Sequence, residues 1–331
     1  MQMHQLGKTG PEVSAIGLGC MGMSWGYAEG QRNDDTSVRV IAEALDLGVT
    51  FLDTSDVYGD GHNERLLGRA LAGRRDEVVL ATKCGLVVDD LATRAMHRDG
   101  RPEHVRAAVE ASLTRLDTDV IDLLYLHRVD TEVPLAETWG AMADLVAAGT
   151  VRRLGLSEVS IAQAAEAHRQ HPVAAIQSEL SLWTRGPLGR PGEELEGLPG
   201  AENLVGWCAE NDVTFVPFSP LGRGFLSGAY VSPDQFEESD FRKSNARFQD
   251  EALAANARIV DVVRTVATRH GATPAQVAIA WTLAQGEHVV PIPGTKNSRY
   301  LKENTDAAAI RLSEADLAEL DAVPDPVGSR Y

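Results

Sequence analysis

Cysteine is scarce in this sequence: only 3 of its 331 residues are cysteine. Cys20, Cys84 and Cys208 lie far apart, and none belongs to a C-x-x-C pair. This spacing excludes a disulfide framework and a zinc site built from cysteines. Because free cysteines persist in a reducing compartment, we expect the protein to be cytoplasmic.

Long apolar runs and an excess of positive charge are also missing. The first residues, MQMHQLGKTGPEVSAIG, contain no apolar stretch behind a basic start, and no run of about 18 apolar residues occurs anywhere. Lysine and arginine number 31 against 48 aspartates and glutamates, which gives a formal charge of -17. Such a charge repels nucleic acid and anionic lipid at long range. We therefore expect a soluble protein that is not exported and has no nucleic-acid or membrane partner.

Short apolar runs alternate with longer stretches of helical periodicity. The clearest runs are VTFLD, EVVLATK and VIDLLYLH, and each precedes a stretch with apolar residues at helical spacing. Such alternation is typical of βα units and a parallel sheet. AIGLG near the N-terminus is the first predicted strand. Further runs bring the count to eight, at 153–156, 173–177, 213–218 and 288–293.

Eight βα units favour a closed barrel, because an open doubly wound sheet usually stops near about six strands. We therefore predict an α/β fold, a (β/α)8 TIM barrel, in a single domain over residues 1–331. Three long loops are predicted at the C-terminal face, at 84–101, 183–202 and 219–250. Loops of this length are usually functional, and Trp25 and Trp183 are candidates for the walls of the substrate pocket.

Helix boundaries are indicated by spacing and by capping residues. Thr273 before Pro274, and Ser313 three residues before Asp316, mark the starts of two helices late in the chain. An earlier helix is predicted from Thr36 to Leu47. Its apolar face consists of Val38, Ile41, Ala42 and Leu45.

Polar residues follow three consecutive predicted strands, at the points where the chain leaves the barrel. Asp53, Lys83 and His127 end these strands, and Tyr58 lies five residues after Asp53. Each has an ordinary structural explanation, as a helix cap, a solvated strand end or a buried histidine. Barrel active sites lie at this face, however, and buried charges cost several kcal/mol unless they pair. Together these residues predict a catalytic site.

Tyr58 is the predicted proton donor of this site. A phenol with the usual pKa of about 10 is a weak acid at neutral pH, and a nearby ammonium such as Lys83 favours the phenolate. Asp53 would hold Lys83 and balance its charge, while His127 would hydrogen-bond the substrate oxygen. This arrangement suits protonation of an alkoxide formed by hydride transfer. It does not suit metal-assisted hydrolysis, because the 9 histidines include no H-E-x-x-H pair.

Two kinds of glycine-rich segment compete as the phosphate-binding site. Gly17, Gly19 and Gly22 match the G-x-G-x-x-G pattern of a Rossmann dehydrogenase, but a polar stretch follows them where that fold requires a helix. A tight first loop at the barrel mouth is the simpler interpretation. Barrels often bind phosphate after their last two strands. The sequence has SPLGRGF from residue 219 and IPGTK from residue 292 at those places.

Along nearly its whole length the sequence resembles the aldo-keto reductases. The matching segments are GLGCMGMS, LDTSDVYGDGHNERLLGRAL, LATK, LLYLHR, GLSE, ELSLWTR, FVPFSPLGRGFLSG and PIPGTKNSRYLKEN. The resemblance implies the same barrel, NADPH as the cofactor and a small-molecule aldehyde or ketone as the substrate. It also implies that the family's catalytic tetrad falls on Asp53, Tyr58, Lys83 and His127.

The resemblance further implies a set of cofactor contacts around the rim. Ser157 and Gln177 would hold the nicotinamide carboxamide, Phe218 would stack on its ring, and Lys296 would meet the 2'-phosphate. Other implied contacts lie in the first loop at Cys20 and Met21, and in the pyrophosphate loop at Ser219, Leu221, Gly222, Arg223 and Gly224. The last implied contacts lie beside Lys296 at Gly294 and Thr295, and near the adenine at Glu303 and Asn304.

The sequence departs from the usual family pattern at three positions. Glu158 replaces a common asparagine, Phe218 replaces a frequent tyrosine, and Tyr300 stands where many members have arginine. The predicted preference for NADP therefore rests mainly on Lys296, with Arg299 as a further cation.

Two alternative functions stay open. The potassium-channel beta subunits share this fold and bind nicotinamide cofactor with slow turnover, so a regulatory nucleotide-binding module is one alternative. A Rossmann dehydrogenase that uses Gly17, Gly19 and Gly22 is the other.

Overall fold

A computed structural model describes residues 1–189 and 198–330 of the chain. Its strands are β1 Met3–Gln5, β2 Glu12–Ser14, β3 Leu18–Gly19, β4 Phe51–Asp53, β5 Val79–Cys84, β6 Leu86–Asp90, β7 Ala95–Arg98, β8 Leu123–Leu126, β9 Leu154–Ser157, β10 Val173–Glu179 and β11 Thr214–Phe218. Its α-helices are α1 Asp34–Asp46, α2 His62–Ala70, α3 Pro102–Leu116, α4 Leu135–Ala147, α5 Ile161–Gln170, α6 Leu204–Glu210, α7 Asp250–His270, α8 Pro274–Leu283, α9 Ser298–Asp306 and α10 Glu314–Asp321. Part of the predicted loop at 183–202 lies outside the described residues.

Within the described residues, seven strands form a parallel sheet that curls into a barrel. Their order is β3, β4, β5, β8, β9, β10 and β11, and every neighbouring pair is parallel. Parallel neighbours require a crossover connection, and helices α1 to α6 occupy these connections. The predicted α/β barrel is therefore confirmed.

An extended segment, residues 288–294, closes the barrel in place of the regular eighth strand that the sequence predicts. Val289 pairs with β11 on one side, and Gly294 pairs with β3 on the other. Pro291 and Pro293 carry no N–H group, so a continuous hydrogen-bonded ladder cannot form along this segment. The extended segment therefore lies where the eighth barrel strand was predicted, but the prediction of a regular strand there was wrong.

An N-terminal hairpin, formed by β1 and β2, closes the end of the barrel at which the strands begin. Leu6 and Val13 have no exposed surface, and they pack in one cluster with Phe51, Val79 and Leu123, the first residues of β4, β5 and β8. Burial of one such side chain contributes about 1.5–3 kcal/mol. An apolar cluster therefore fills this end of the barrel interior, and the buried pair Asp53 and Lys83 lies toward the opposite, carboxyl end. The sequence analysis did not predict this hairpin.

Helix α1 lies where the sequence predicts a helix, but only half of its predicted apolar face is buried. Ile41 and Leu45 are buried, whereas Val38 and Ala42 are half-buried. Because α1 packs against both the barrel and α2, its buried face is wider than the predicted apolar face and is shifted around the helix. The other buried positions of α1 are Ser37, Val40 and Ala44.

Both predicted helix caps are confirmed. Thr273 accepts the Gln276 N–H at the start of α8, and Ser313 accepts the Asp316 N–H at the start of α10. The Gln276 and Asp316 side chains in turn accept from the backbone N–H of Thr273 and Ser313, which completes a capping box at each helix.

Two of the predicted long loops contain more structure than expected. Residues 84–101 include an antiparallel hairpin of β6 and β7. The stretch 219–250 contains short 3-10 helices at Gly222–Ser227, Pro233–Gln235, Phe241–Lys243 and Ala246–Phe248. Both stretches follow barrel strands and lie at the carboxyl face. In the part of the chain that the structure describes, no helix has the length and apolar character to span a bilayer.

Candidate active site

Lys83 lies at the centre of the polar group at the carboxyl end of the barrel. Its Nζ donates to Asp53 Oδ1 at 2.6 Å, to the Thr54 carbonyl at 2.8 Å and to the Tyr58 hydroxyl at 3.3 Å. An ammonium has three N–H groups, so all of its donors are satisfied. The second Asp53 oxygen accepts from Gln177 Nε2 at 2.7 Å. This buried ion pair is therefore fully hydrogen-bonded, as a buried charge requires.

The electrostatics keep both Lys83 and Tyr58 protonated at neutral pH. Burial lowers the pKa of Lys83, but the Asp53 carboxylate and Tyr58 oppose it, and the net pKa lies above the ordinary value. Burial raises the pKa of Tyr58 above its ordinary value, although Lys83 works against this shift. The phenol therefore keeps a proton that it can donate, next to a cation that stabilises the resulting phenolate.

His127 follows β8 directly and faces the Tyr58 ring edge-on, with 6.0 Å between the ring centroids. Its Nδ1 lies 3.2 Å from Ser55 Oγ, so Nε2 is the nitrogen turned away from Ser55. Burial holds the pKa of His127 well below its ordinary value, and the charges of Arg128 and Lys83 act in the same direction. The imidazole is therefore neutral at physiological pH. A neutral imidazole hydrogen-bonds a substrate oxygen without adding a charge to the site.

An apolar wall stands beside Tyr58. Trp25 and Val57 are buried with it in one cluster, and Leu86 and Val88 of β6 pack against that cluster. The hairpin in the predicted loop 84–101 and Trp25 therefore both contribute to this apolar wall. Trp183 behaves differently: its ring packs in an aromatic cluster with Phe225, with 4.2 Å between the centroids.

The residues predicted to meet the nicotinamide lie on three neighbouring strands. Ser157 ends β9, Gln177 lies in β10, and Phe218 ends β11. Ser157 Oγ accepts from Arg128 at 3.1 Å, and Phe218 is half-buried. The structure therefore brings all three to the rim next to Asp53.

Glu158 forms a buried ion pair that the sequence analysis did not predict. Its Oε2 lies 2.8 Å from an Arg330 nitrogen, and its Oε1 accepts from Ser178 Oγ at 2.8 Å. The same guanidinium donates to Glu179 at 2.6 Å and lies 5.9 Å from the Phe218 ring centroid. A cation thus stands beside the position where the family usually has asparagine. Nothing in the local sequence indicates a pair between residues so distant along the chain.

The predicted pyrophosphate loop is a tight turn after β11. Ser219, Arg223 and Gly224 have left-handed backbone angles, with φ of 50°, 57° and 95°. A Cβ atom on Gly222 would lie 2.7 Å from the Trp183 ring, so only glycine fits there. Leu221 lies within this turn, between Ser219 and Gly222, and is half-buried.

The Arg223 side chain of this loop is buried and hydrogen-bonded. It donates to Glu179 at 3.2 Å and to the Arg330 carbonyl at 2.8 Å. Arg223 therefore links the loop to the segment around Arg330.

The second predicted phosphate segment follows the extended segment 288–294, which pairs with β11, so it lies beside the first on the rim. Gly294 and Thr295 lead into α9, and Lys296 Nζ donates to the carbonyls of Tyr27 at 3.0 Å and Ala28 at 2.8 Å. Burial lowers the pKa of Lys296, and the nearby positive charge of Arg32 adds to this effect. Both Glu303 and Asn304 belong to α9, and Glu303 accepts from Thr273 Oγ1 at 2.6 Å.

The glycine motif near the N-terminus does not have the structure of a Rossmann fingerprint. Gly19 belongs to a barrel strand, and Met21–Met23 is a single 3-10 turn, so the first α-helix begins only at Asp34. Cys20 is buried in this turn with its Sγ 3.6 Å from the Leu18 carbonyl. The motif is therefore the first loop of the barrel, which removes the Rossmann alternative.

Across 1–189 and 198–330, no group of three or more His, Cys, Asp or Glu side chains is arranged to hold a metal ion. The polar residues at the rim instead form an acid and base system around Lys83.

Comparison with known proteins defines the class. A family model described as "Aldo/keto reductase family" matches residues 15–325. "Probable aldo-keto reductase 1" of Glycine max is 44% identical over 335 residues, which cover 100% of this chain and 92% of that protein. "Aldo-keto reductase yakc [NADP(+)]" of Schizosaccharomyces pombe is 41% identical over 324 residues, covering 96% of this chain and 92% of that protein.

Solved structures agree with the sequence relatives. The glycerol dehydrogenase AKR11B4 from Gluconobacter oxydans matches with a TM-score of 0.85 and 27% identity, covering 99% of this chain and 98% of that one. This chain belongs to the aldo/keto reductase family. It is an oxidoreductase of carbonyl compounds and uses a nicotinamide cofactor.

Proposed function

We propose that the protein is an NADPH-dependent aldo-keto reductase that reduces aldehydes or ketones to alcohols, with Tyr58 as the proton donor. The observation that carries the proposal is the hydrogen bond from Lys83 Nζ to the Tyr58 hydroxyl, 3.3 Å long, within a fully paired buried site. A phenol so placed gives up its proton next to a fixed positive charge, which lowers the cost of forming the phenolate.

The other residues of the tetrad act by position and charge. His127 is neutral and binds the substrate oxygen, which places that oxygen next to the Tyr58 hydroxyl. Asp53 keeps Lys83 protonated and fixed at 2.6 Å. A bound nicotinamide cofactor supplies the hydride to the carbonyl carbon. The chain then supplies the proton, from Tyr58 to the oxygen, and the apolar wall at Trp25 excludes water from this transfer.

The residues at the rim fit an anionic dinucleotide. Phe218 offers a half-exposed aromatic face beside Ser157 and Gln177, which carry groups able to bond a carboxamide. The close-packed glycines of the turn after β11 allow a phosphate to approach the backbone. Beside this turn, the α9 N-terminus and Lys296 provide positive potential. The adenine would lie next to Glu303 and Asn304, and Cys20 and Met21 would line the inner end of the site.

A preference for NADP over NAD is part of the proposal. Lys296 is a half-buried cation at the rim, and Arg32 lies close enough to act on its pKa. Two cations at one place suit the extra phosphate of NADP. The Schizosaccharomyces pombe relative carries NADP(+) in its name, which supports the same preference.

Rapid mixing of the NADPH-loaded protein with a panel of aliphatic and aromatic aldehydes and ketones tests the proposal. We expect fast loss of the NADPH absorbance with at least one carbonyl, and a much slower loss in the Tyr58→Phe variant. Slow oxidation with every carbonyl, and no difference between the two proteins, would instead support the regulatory nucleotide-binding module.

A further inference from the structure

The Ser55 hydroxyl lies between the Asp56 carboxylate and the His127 imidazole. Ser55 Oγ is 2.9 Å from Asp56 Oδ1 and 3.2 Å from His127 Nδ1. The Val57 N–H also donates to Asp56 Oδ1, at 2.8 Å. A hydroxyl has one proton, so it donates to only one of its two neighbours at a time. The neighbour that receives this proton determines which nitrogen of a neutral His127 carries the N–H.

Two proton arrangements are possible at this trio. When Asp56 is ionised, its hydrogen bond from Ser55 is charge-assisted and is the stronger one. Ser55 Oγ then accepts from His127 Nδ1–H, and Nε2 carries no proton. When Asp56 is neutral, its hydrogen bond from Ser55 is no longer charge-assisted, and Ser55 donates to His127 Nδ1 instead. The imidazole proton then resides on Nε2, where it can be donated to a substrate carbonyl oxygen.

We propose that Asp56, acting through Ser55, sets the tautomer of His127 and thereby decides whether the nitrogen next to the substrate is a donor or an acceptor. Asp56 and Ser55 are positioning residues in this scheme, because neither touches the reacting atoms. One proton from solvent neutralises Asp56, and the imidazole proton moves from Nδ1 to Nε2 by exchange, so His127 stays neutral. The catalytic consequence, though not the tautomer change itself, rests on the function proposed above.

Several charged groups face Asp56, which is half-buried. Burial raises the pKa of Asp56 most, and the Glu64 carboxylate on α2 raises it further. The Ser55 hydroxyl, the Arg115 guanidinium on α3 and the Val57 N–H lower it. The net pKa of Asp56 is about 7.

The remaining titratable neighbours of Asp56 do not compete for this proton. The Cys84 thiol at the end of β5 lies close by, and burial raises its pKa well above the ordinary value, so it stays neutral. Burial lowers the pKa of His127 far enough that the ring is neutral over the same range. The Glu64 carboxylate accepts from Thr82 Oγ1 and Arg115 Nε, both at 2.6 Å. The tautomer of His127 is therefore expected to change near neutral pH.

The imidazole nitrogen shifts of histidine-labelled protein report the tautomer without any need for turnover. Two-bond proton–nitrogen correlation spectra across pH 5.5–8.5, with His127 assigned from a His127→Gln variant, give the position of the proton. We expect Nε2–H at about pH 6 and Nδ1–H at about pH 8 in the wild type. In Asp56→Asn the neutral amide should hold Nε2–H at every pH. Asp60→Asn, an exposed change in the same loop, should behave like the wild type.

Activity provides a second and separate readout. The kcat/KM for carbonyl reduction should fall about tenfold per pH unit above the Asp56 pKa in the wild type and in Asp60→Asn. It should stay level through this range in Asp56→Asn, and Ser55→Ala should remove the pH dependence of the His127 tautomer. A His127 tautomer that is constant with pH in the wild type would overturn the relay. A tautomer change without carbonyl reduction at any pH would support the relay and overturn the proposed function.

Discussion

Arg330 lies 2.8 Å from the carboxylate of Glu158, and its guanidinium is almost completely buried. The same side chain bonds Glu179 at 2.6 Å. A segment late in the chain thus supplies the positive charge for two carboxylates that follow β9 and end β10. This ion pair connects the carboxyl ends of β9 and β10 to a segment late in the chain.

Replacement of Arg330 by alanine should destabilise the protein. The change leaves two buried carboxylates with less compensating charge, and loss of one partner of a buried pair costs about 3 kcal/mol. Urea denaturation measures the change in the free energy of unfolding. Addition of Glu158→Gln to the Arg330→Ala variant should recover part of the loss, whereas Arg258→Ala on the surface should have little effect. Equal stability of Arg330→Ala and the wild type would show that the ion pair makes no net contribution to the free energy of unfolding.

The contribution of Arg330 should also depend on pH. Burial raises the pKa of Glu179, but Arg223 and Arg330 outweigh it, and the net pKa lies below the ordinary value. A carboxyl with a depressed pKa stabilises the fold above its unfolded pKa of about 4.3, and this stabilisation disappears as pH falls. The stability difference between the wild type and Arg330→Ala should therefore be full at pH 7 and shrink below about pH 4. A difference that grows on acidification would contradict this assignment.

Lys83→Met should separate stability from catalysis. The ammonium that faces Tyr58 is lost, and the Asp53 carboxylate stays buried with only Gln177 as a donor. We expect carbonyl reduction to fall by at least about 100-fold and stability to fall by about 3 kcal/mol. The double variant Asp53→Asn with Lys83→Met should regain stability but not activity. Recovery of activity in the double variant would show that Lys83 only holds the fold.

Lys296→Ala should weaken NADPH more than NADH. A charge-assisted hydrogen bond to the 2'-phosphate is worth about 1.5–3 kcal/mol, or about 10- to 100-fold in affinity. The Kd of each cofactor, measured by quenching of protein fluorescence, gives the comparison. Lys302→Ala is a matched control, because Lys302 is an exposed lysine of α9 that pairs with Asp306 at 2.7 Å. An equal loss of affinity for both cofactors would instead show that Lys296 acts by maintaining the shape of the loop.

The alkaline pH dependence of reduction should report Tyr58. Burial raises the pKa of this phenol above its ordinary value of about 10. Reduction needs the protonated phenol, so ionisation of Tyr58 should lower the rate only as pH rises above about 10. In Asp56→Asn the decline caused by Tyr58 should be the only alkaline decline in kcat, because the pH-dependent tautomer change of His127 has been removed. A decline of that variant near pH 8 would mean that another group donates the proton.

The tetrad was predictable because its residues mark strand ends. Apolar runs reveal where each barrel strand stops, and parallel strands end at one face, so Asp53, Lys83 and His127 converge by topology alone. Tyr58 is an ordinary loop tyrosine by its local sequence, and its predicted role as proton donor came from the neighbouring Lys83 and was supported by the family resemblance.

The missed features depend on contacts that are remote in sequence or on short elements. Arg330 and Glu158 are brought together only by the folded barrel, and no periodicity links them. The hairpins β1–β2 and β6–β7 consist of short strands with polar residues, which carry a weak alternation signal. At the last barrel segment, Pro291 and Pro293 allow an extended chain but remove the donors that a regular strand needs.

A single-turnover comparison of the wild type with Tyr58→Phe tests the central claim most directly. Both proteins are loaded with NADPH and mixed with the best carbonyl substrate, and the oxidation of the bound cofactor is followed. General acid catalysis typically contributes a factor of about 100 to 10,000, so we predict at least a 100-fold slower reaction in the variant. The Kd for NADPH should stay within about twofold of the wild-type value, because the hydroxyl acts on the substrate. An unchanged rate in Tyr58→Phe would contradict the account.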